Sequence, residues 1–211
     1  VVCREYAGLC GLYGLRPRLN RPQAWLEKLF RDLTAKRFSH TLAVAHTARH
    51  LANLHGVDAH KAEEAAVLHD CAKCLPVKEM QRICRQQHLT EDEQVLSSGA
   101  LMHSLVGAYL AAKEYGEQDP DVLRAIACHT TGKVGMTRLD MVVYLADKIE
   151  PTRESYPTLE KVRMLAQLNL ERALLASMEG TRAFVRKGGK PLHPQTLETM
   201  AWLKESIKTG T

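Results

Sequence analysis

The spacing of apolar residues constrains this chain more than any other feature. From about Pro22 onward they recur every three or four positions, the period of a helix with one buried face. Trp25, Leu26, Leu29, Phe30 and Leu33 form the first such stripe. No stretch shows the strict alternation of a half-buried strand. Hydrophobic residues make up 45% of the chain but aromatics only 5%, so Ala, Leu and Val must build the core. Small side chains favour closely packed helices over a β-sandwich. The expected fold is all-α, a compact multi-helix bundle.

Local signals set the expected helix ends. The first helix spans about 22–34, and a second runs from about 37 to 55 and stops at Gly56, a good left-handed cap. Asp58 can cap a third that ends near Asp70, and Pro76 opens a short fourth. The next covers about 98–115 and stops at Gly116. Asp119-Pro120-Asp121 combines a cap, a proline at the first helical position and an early acid. Thr137-x-x-Asp140 has the form of a capping box for a helix that ends before Pro151. One long helix is expected from about Thr158, and a last one over about 194–207.

A length of 211 residues suits one domain with a short attachment. Residues 21–211 read as that domain. Residues 1–20 read as a short segment or linker, too small to fold alone. The net charge of +5, with a pI near 8.9, is compatible with an anionic nucleotide. It is too dispersed to argue for nucleic-acid binding. The six cysteines, at 3, 10, 71, 74, 84 and 128, do not form a secreted disulfide pattern. With no signal peptide or membrane-length apolar run in the sequence, a cytoplasmic protein without a membrane partner is expected. Only Cys71-x-x-Cys74 has metal or redox spacing, and no second pair accompanies it.

The chemistry centres on His69-Asp70. Ala62, Ala65 and Ala66 share the helical face of His69, so its imidazole is expected to be buried and in need of a partner. Alone, the pair reads best as a core histidine bonded to a carbonyl. It is not alone. His40 lines up with Val44, Ala48 and Leu51; His103 with Gly107 and Ala111; His129 with Val122, Ala125 and Ile126; Asp147 with Val143 and Tyr144. Four imidazoles and two carboxylates are therefore expected to point inward, and a shared metal centre satisfies them together. Imidazole and carboxylate suit iron, manganese or zinc better than magnesium. Six ligands suit two ions bridged by Asp70, a centre able to hydrolyse a phosphoester or phosphoanhydride. His46 and His50, spaced i, i+4, face away from the apolar stripe and read as exposed. His55, near a helix end, suits the helix dipole.

The order His40, His69-Asp70, His103, His129, Asp147 resembles the HD-domain phosphohydrolases. The strings Arg37-Phe38-Ser39-His40-Thr41, Leu68-His69-Asp70-Cys71-Ala72-Lys73 and His103-Ser104-Leu105-Val106-Gly107-Ala108 resemble the YqeK family within them. So do His129-Thr130-Thr131-Gly132-Lys133 with Met136-Thr137, and Ala146-Asp147-Lys148-Ile149-Glu150-Pro151 with Arg153. The resemblance covers roughly Arg21 to Lys204. It implies a helical HD domain, symmetrical hydrolysis of diadenosine tetraphosphate to two ADP, and a di-iron centre, with manganese or another divalent transition metal as substitutes. It implies that His40, His69, Asp70 and Asp147 hold the first ion, and Asp70, His103 and His129 the second. Asp70 and Lys73 are the implied catalytic residues. Arg37, Lys73, Thr131, Gly132, Lys148 and Arg153 are implied around the phosphates, with the Thr131-Gly132 backbone offering N–H groups. Cys71 departs from the aromatic residue often found there, which bears on the base preference.

Two alternatives stay open. One is the same chemistry on a nucleoside triphosphate, a cyclic nucleotide or an alarmone. The other is a non-enzymatic nucleotide-sensing module. A homodimer is compatible with the sequence. Val2-x-x-Glu5-Tyr6 with Gly11-Leu12-Tyr13 resembles the C-terminal end of nicotinate-nucleotide adenylyltransferases. This suggests a fusion whose adenylyltransferase domain precedes residue 21.

Overall fold

The structure is a computed structural model that describes residues 23–189 and 191–209. The expectations for the segment 1–20 and for Pro22 lie outside the described residues. Among the described residues the chain forms eleven helices and no strand, as the periodicity requires. They are α1 (Gln23–Asp32), α2 (Ala35–His55), α3 (Ala59–Leu68), α4 (Val77–Gln86), α5 (Glu93–Leu96), α6 (Gly99–Tyr115), α7 (Pro120–Cys128), α8 (Arg138–Ile149), α9 (Leu159–Leu168), α10 (Leu170–Lys187) and α11 (Pro194–Thr209). None of these helices is long and apolar enough to cross a membrane.

Side-chain caps set six of the eleven helix starts among the described residues. Asp58 accepts from the amides of His60 and Lys61, and Asp119 from that of Asp121, with Pro120 in the first turn. Thr137 and Asp140 close a complete capping box. Gly56 and Gly116 terminate α2 and α6 with left-handed φ of 66° and 70°. Thr34 caps α2 instead of ending α1, because its hydroxyl accepts from the Arg37 amide.

Two elements differ from expectation. The long helix from Thr158 is two helices that meet at Asn169. There the backbone is extended (φ −156°, ψ 116°) and the side chain caps α10 by accepting from the Arg172 amide at 2.8 Å. Asn competes with the helical backbone for its own hydrogen bonds, so it breaks an otherwise continuous periodicity. The short α5 was not expected, and it rests on an Asp92 cap.

Helix α2 packs against α3 and α8, and α3 against α7. The contact surfaces are small-residue faces: Ala43, Ala48, Ala52, Ala62, Ala65, Ala66 and Ala125 are all fully buried. Close approach of these backbones brings the C-terminal ends of α3, α7 and α8 and the second turns of α2 and α6 to one point. Tyr144 and Phe38 are the largest fully buried side chains among the described residues.

Candidate metal centre

His40 comes from α2, His103 from α6 and Asp147 from α8. His69 and His129 are the last half-helical residues of α3 and α7. After His69 the chain leaves the helix through i to i+3 turns, with Lys73 donating its amide to Asp70 at 2.9 Å. All six predicted ligands are buried, none more than 6% exposed. His40, His69 and Asp147 form one group whose ligand atoms lie within 4.8 Å of one another, and His69, Asp70 and His129 form a second.

The hydrogen bonds on the far side of each ring fix which nitrogen faces the centre. His69 Nδ1 donates to the Ala66 carbonyl (2.6 Å), His129 Nδ1 to Ile126 (2.7 Å) and His103 Nδ1 to Gly99 (3.3 Å). A neutral imidazole with its proton on Nδ1 carries a lone pair on Nε2. Three such lone pairs therefore converge. His103 Nε2 and His129 Nε2 face each other at 3.0 Å. His69 Nε2 is buried, makes no hydrogen bond, and looks across 3.5 Å to Asp70 and 3.7 Å to Asp147. A buried acceptor without a partner is costly, and opposed lone pairs add repulsion. A cation among these nitrogens and carboxylates removes both penalties, so the donor set fits a transition metal.

Asp70 faces both groups. Oδ1 lies 3.1 Å from His103 Nε2 and 3.9 Å from His129 Nε2. Oδ2 lies 3.5 Å from His69 and 3.8 Å from His40. Burial opposes the ionisation of Asp70, but the neighbouring His69, His103 and Lys73 outweigh it and hold its carboxyl well below the usual range. For Asp147 burial is again the largest influence, and Lys148, His40, His69 and Arg153 overcome it. Burial, reinforced by the neighbouring His103 and His69, keeps His129 neutral.

Four cations ring the carboxylates. Arg37 donates to Asp70 Oδ2 at 2.7 Å. Lys148 and Arg153 donate to Asp147 at 2.8 and 2.6 Å. Lys73 Nζ sits 3.1 Å from His103 Nε2 and 3.9 Å from Asp70. Their side chains remain 27–32% exposed above the buried ligands. They form a cationic mouth over the centre.

Thr131 and Gly132 are turned elsewhere. The Gly132 amide donates to the Cys128 carbonyl (2.9 Å), so the expected N–H cradle for phosphate does not form at that residue. The carbonyls of Thr131 and Gly132 accept from Thr196 (3.0 Å) and Gln195 (2.7 Å), tying this loop to α11. Gly132 has φ +69°, and a Cβ there would lie 2.5 Å from Met178 Cε and 3.0 Å from Thr199 Cγ2. Gly132→Ala is expected to destabilise the chain by roughly 2–4 kcal/mol, from left-handed strain plus overpacking. Urea unfolding measures this, and an unchanged midpoint would restore a direct phosphate role to Gly132.

The remaining sequence candidates fall outside the centre. His46 and His50 are exposed, as expected. His55 donates to the Ala166 carbonyl at 2.7 Å. Cys71 and Cys74 are free thiols, and neither belongs to a group able to hold an ion. Cys71 donates to the Gly107 carbonyl at 3.4 Å, and burial pushes its thiol pKa up. It also lines a cavity of about 350 Å³ with Leu75, Ile83, Leu110 and Tyr115. The residue that sequence reasoning missed is Glu150. It is 1% exposed and accepts from His40 Nδ1 at 3.0 Å. Its signal was a carboxylate three residues after Asp147, inside the Ala146–Pro151 string, to which no role was given.

The HD domain family pattern matches residues 37–152, which include every predicted ligand. The chain is 42% identical over 189 residues to a Bacillus subtilis (strain 168) protein named symmetrical bis(5'-nucleosyl)-tetraphosphatase. That match covers 88% of this chain and 98% of the relative. A Mycoplasma genitalium protein named probable nicotinate-nucleotide adenylyltransferase/Ap4A hydrolase is 34% identical over 158 residues, 72% of this chain and 44% of the relative. The crystal structure of a predicted HD superfamily hydrolase involved in NAD metabolism, from Clostridium acetobutylicum, superposes with a TM-score of 0.83 at 37% identity. It covers 86% of this chain and 96% of that one. With its fold, its ordered buried His and Asp residues and these matches, the chain belongs to the HD-domain family of hydrolases, in the group represented by relatives named symmetrical bis(5'-nucleosyl)-tetraphosphatase.

Proposed function

We propose that the chain hydrolyses diadenosine tetraphosphate symmetrically to two ADP with a dinuclear metal centre. The observation that carries this reading is the convergence of buried Nε2 atoms on Asp70 and Asp147, with His69 Nε2 left unbonded. The two groups of potential ligands share His69, yet one nitrogen lone pair serves one ion. His103 resolves the conflict, because its Nε2 lies 3.0 Å from His129 and 3.1 Å from Asp70. His40, His69, Asp70 and Asp147 then hold one ion, and Asp70, His103 and His129 the other. Iron is the proposed metal, and manganese or another divalent transition metal fits the same donors.

Ions bound there supply Lewis acidity and lower the pKa of water. The chain itself binds and orients the substrate. Arg37, Lys73, Lys148 and Arg153 present four cations to a polyphosphate, and the two guanidinium groups can each grip phosphate oxygens bidentately. Lys73, beside Asp70, is placed to neutralise charge at the reacting phosphoryl group. Thr131 and Gly132 act one step back, holding the loop after His129 to α11. Water adds across the central P–O–P linkage; one ADP gains the hydroxyl and the other leaves with the bridging oxygen.

Iron-loaded protein incubated with diadenosine tetraphosphate is expected to release ADP as the sole nucleotide. ATP plus AMP would overturn the symmetrical reading, and faster turnover of a triphosphate or an alarmone in the same panel would reassign the substrate. We also place the protein in the cytoplasm, which its free thiols at Cys71, Cys74, Cys84 and Cys128 support. The reading of residues 1–20 as the end of a preceding adenylyltransferase domain is likewise a proposal, supported by the double activity in the Mycoplasma relative's name.

A further inference from the structure

The four imidazoles are not held alike. His69, His103 and His129 each rest on a neutral backbone carbonyl. His40 rests on the carboxylate of Glu150, at 3.0 Å. Glu150 closes α8 in the extended backbone expected before a proline (φ −52°, ψ 152°). Its carboxylate is held in turn by Thr152, whose amide donates to Oε2 (2.5 Å) and whose hydroxyl donates to Oε1 (2.9 Å). The Arg163 guanidinium anchors the Glu150 carbonyl at 3.0 Å. The carboxylate is therefore locked in place behind the ring, on the side away from Asp147.

An ionised partner on Nδ1 makes a charge-assisted bond, about twice as strong as a neutral one. It fixes the ring and makes the opposite nitrogen a better donor. His40 Nε2 belongs to the group with His69 and Asp147. The other group has an opposing feature. Lys73 Nζ lies 3.2 Å from His103 Nδ1 and 3.1 Å from His103 Nε2, so an ammonium charge sits against the ring that an ion there would need. Lys148 and Arg153 also touch Asp147, but a carboxylate has lone pairs to spare for an ion.

We propose that Glu150 is a positioning residue that makes the His40–His69–Asp147 position the tighter of two unequal ion positions, filled first and emptied last. The proposal rests on the two-ion reading above, and Glu150 itself ligates nothing.

The test is calorimetric titration of the metal-stripped full chain with Mn²⁺ at pH 8. The wild-type chain is expected to bind two ions in two resolved steps. Glu150→Gln should weaken the tighter step by about 10–100-fold, the usual cost of losing such a partner, and leave the weaker step unchanged. In a His40→Ala background the same substitution should have no further effect, because its influence runs through that ring. Should Glu150→Gln fail to fold, Glu150→Asp, which keeps the charge but shortens its reach to His40, must weaken the same step. An unchanged tighter step, or a change confined to the weaker one, overturns the assignment of Glu150 while leaving the two-ion reading intact. A wild-type chain that binds a single ion overturns both.

Discussion

Asp70→Asn should lower hydrolysis of diadenosine tetraphosphate by at least about 10³-fold, the upper range for removing one preorganised electrostatic group, with the helical fold retained. Asp70 is the only predicted ligand whose two oxygens face both groups: Oδ1 toward His103 and His129, Oδ2 toward His40 and His69. Asn preserves its shape but replaces one oxygen with an amide and removes the negative charge. An NH₂ cannot ligate a metal, and Arg37 loses the anion it holds at 2.7 Å. Metal stoichiometry should therefore fall below two together with the rate. The fold should survive because Asn refills the same volume, and because burial already opposes the charged form of Asp70. Turnover and metal content measured on one sample decide the matter. A variant that keeps two ions and a rate within tenfold of wild type would remove Asp70 from the bridging position.

Metal loading should raise the melting temperature sharply, and a chelator should reverse the change. An ion at about 1,000 times its dissociation constant contributes about 4 kcal/mol to the folded state. For a chain of this size that corresponds to roughly 8–16 °C. The structural reason lies in the unrelieved contacts of the centre. His69 Nε2 is buried without a hydrogen bond, and His103 and His129 oppose their Nε2 atoms at 3.0 Å. Unfolding returns those nitrogens to water, so without an ion they count against the native state. Differential scanning fluorimetry with Mn²⁺, then with excess chelator, measures the difference. An unchanged transition would mean that these residues form a satisfied polar core instead of a metal centre.

The helix ends were legible because caps are local. Asp58, Asp119 and Thr137 each bond an amide two or three residues away, so each signal and its consequence share one short window. Asn169 acts over the same range, yet it was overlooked because apolar periodicity continues across it. Gly132 was read for its backbone freedom, whereas its constraint comes from Met178 and Thr199, far along the chain. Glu150 was missed for a similar reason: its partner His40 lies 110 residues earlier.

His40, His69, His103, His129, Asp70 and Asp147 could be chosen from sequence because helical spacing assigns each side chain to a buried face. A buried ionisable group needs a partner whatever the fold. Sequence alone thus determined an all-helical chain with six polar side chains turned inward. The tertiary structure decided which nitrogen of each ring faces the centre, how the cations lie over the carboxylates, and that Glu150 stands behind His40. Those relations depend on distances between helices remote in sequence, and packing of the small-residue faces sets such distances only when the whole bundle closes.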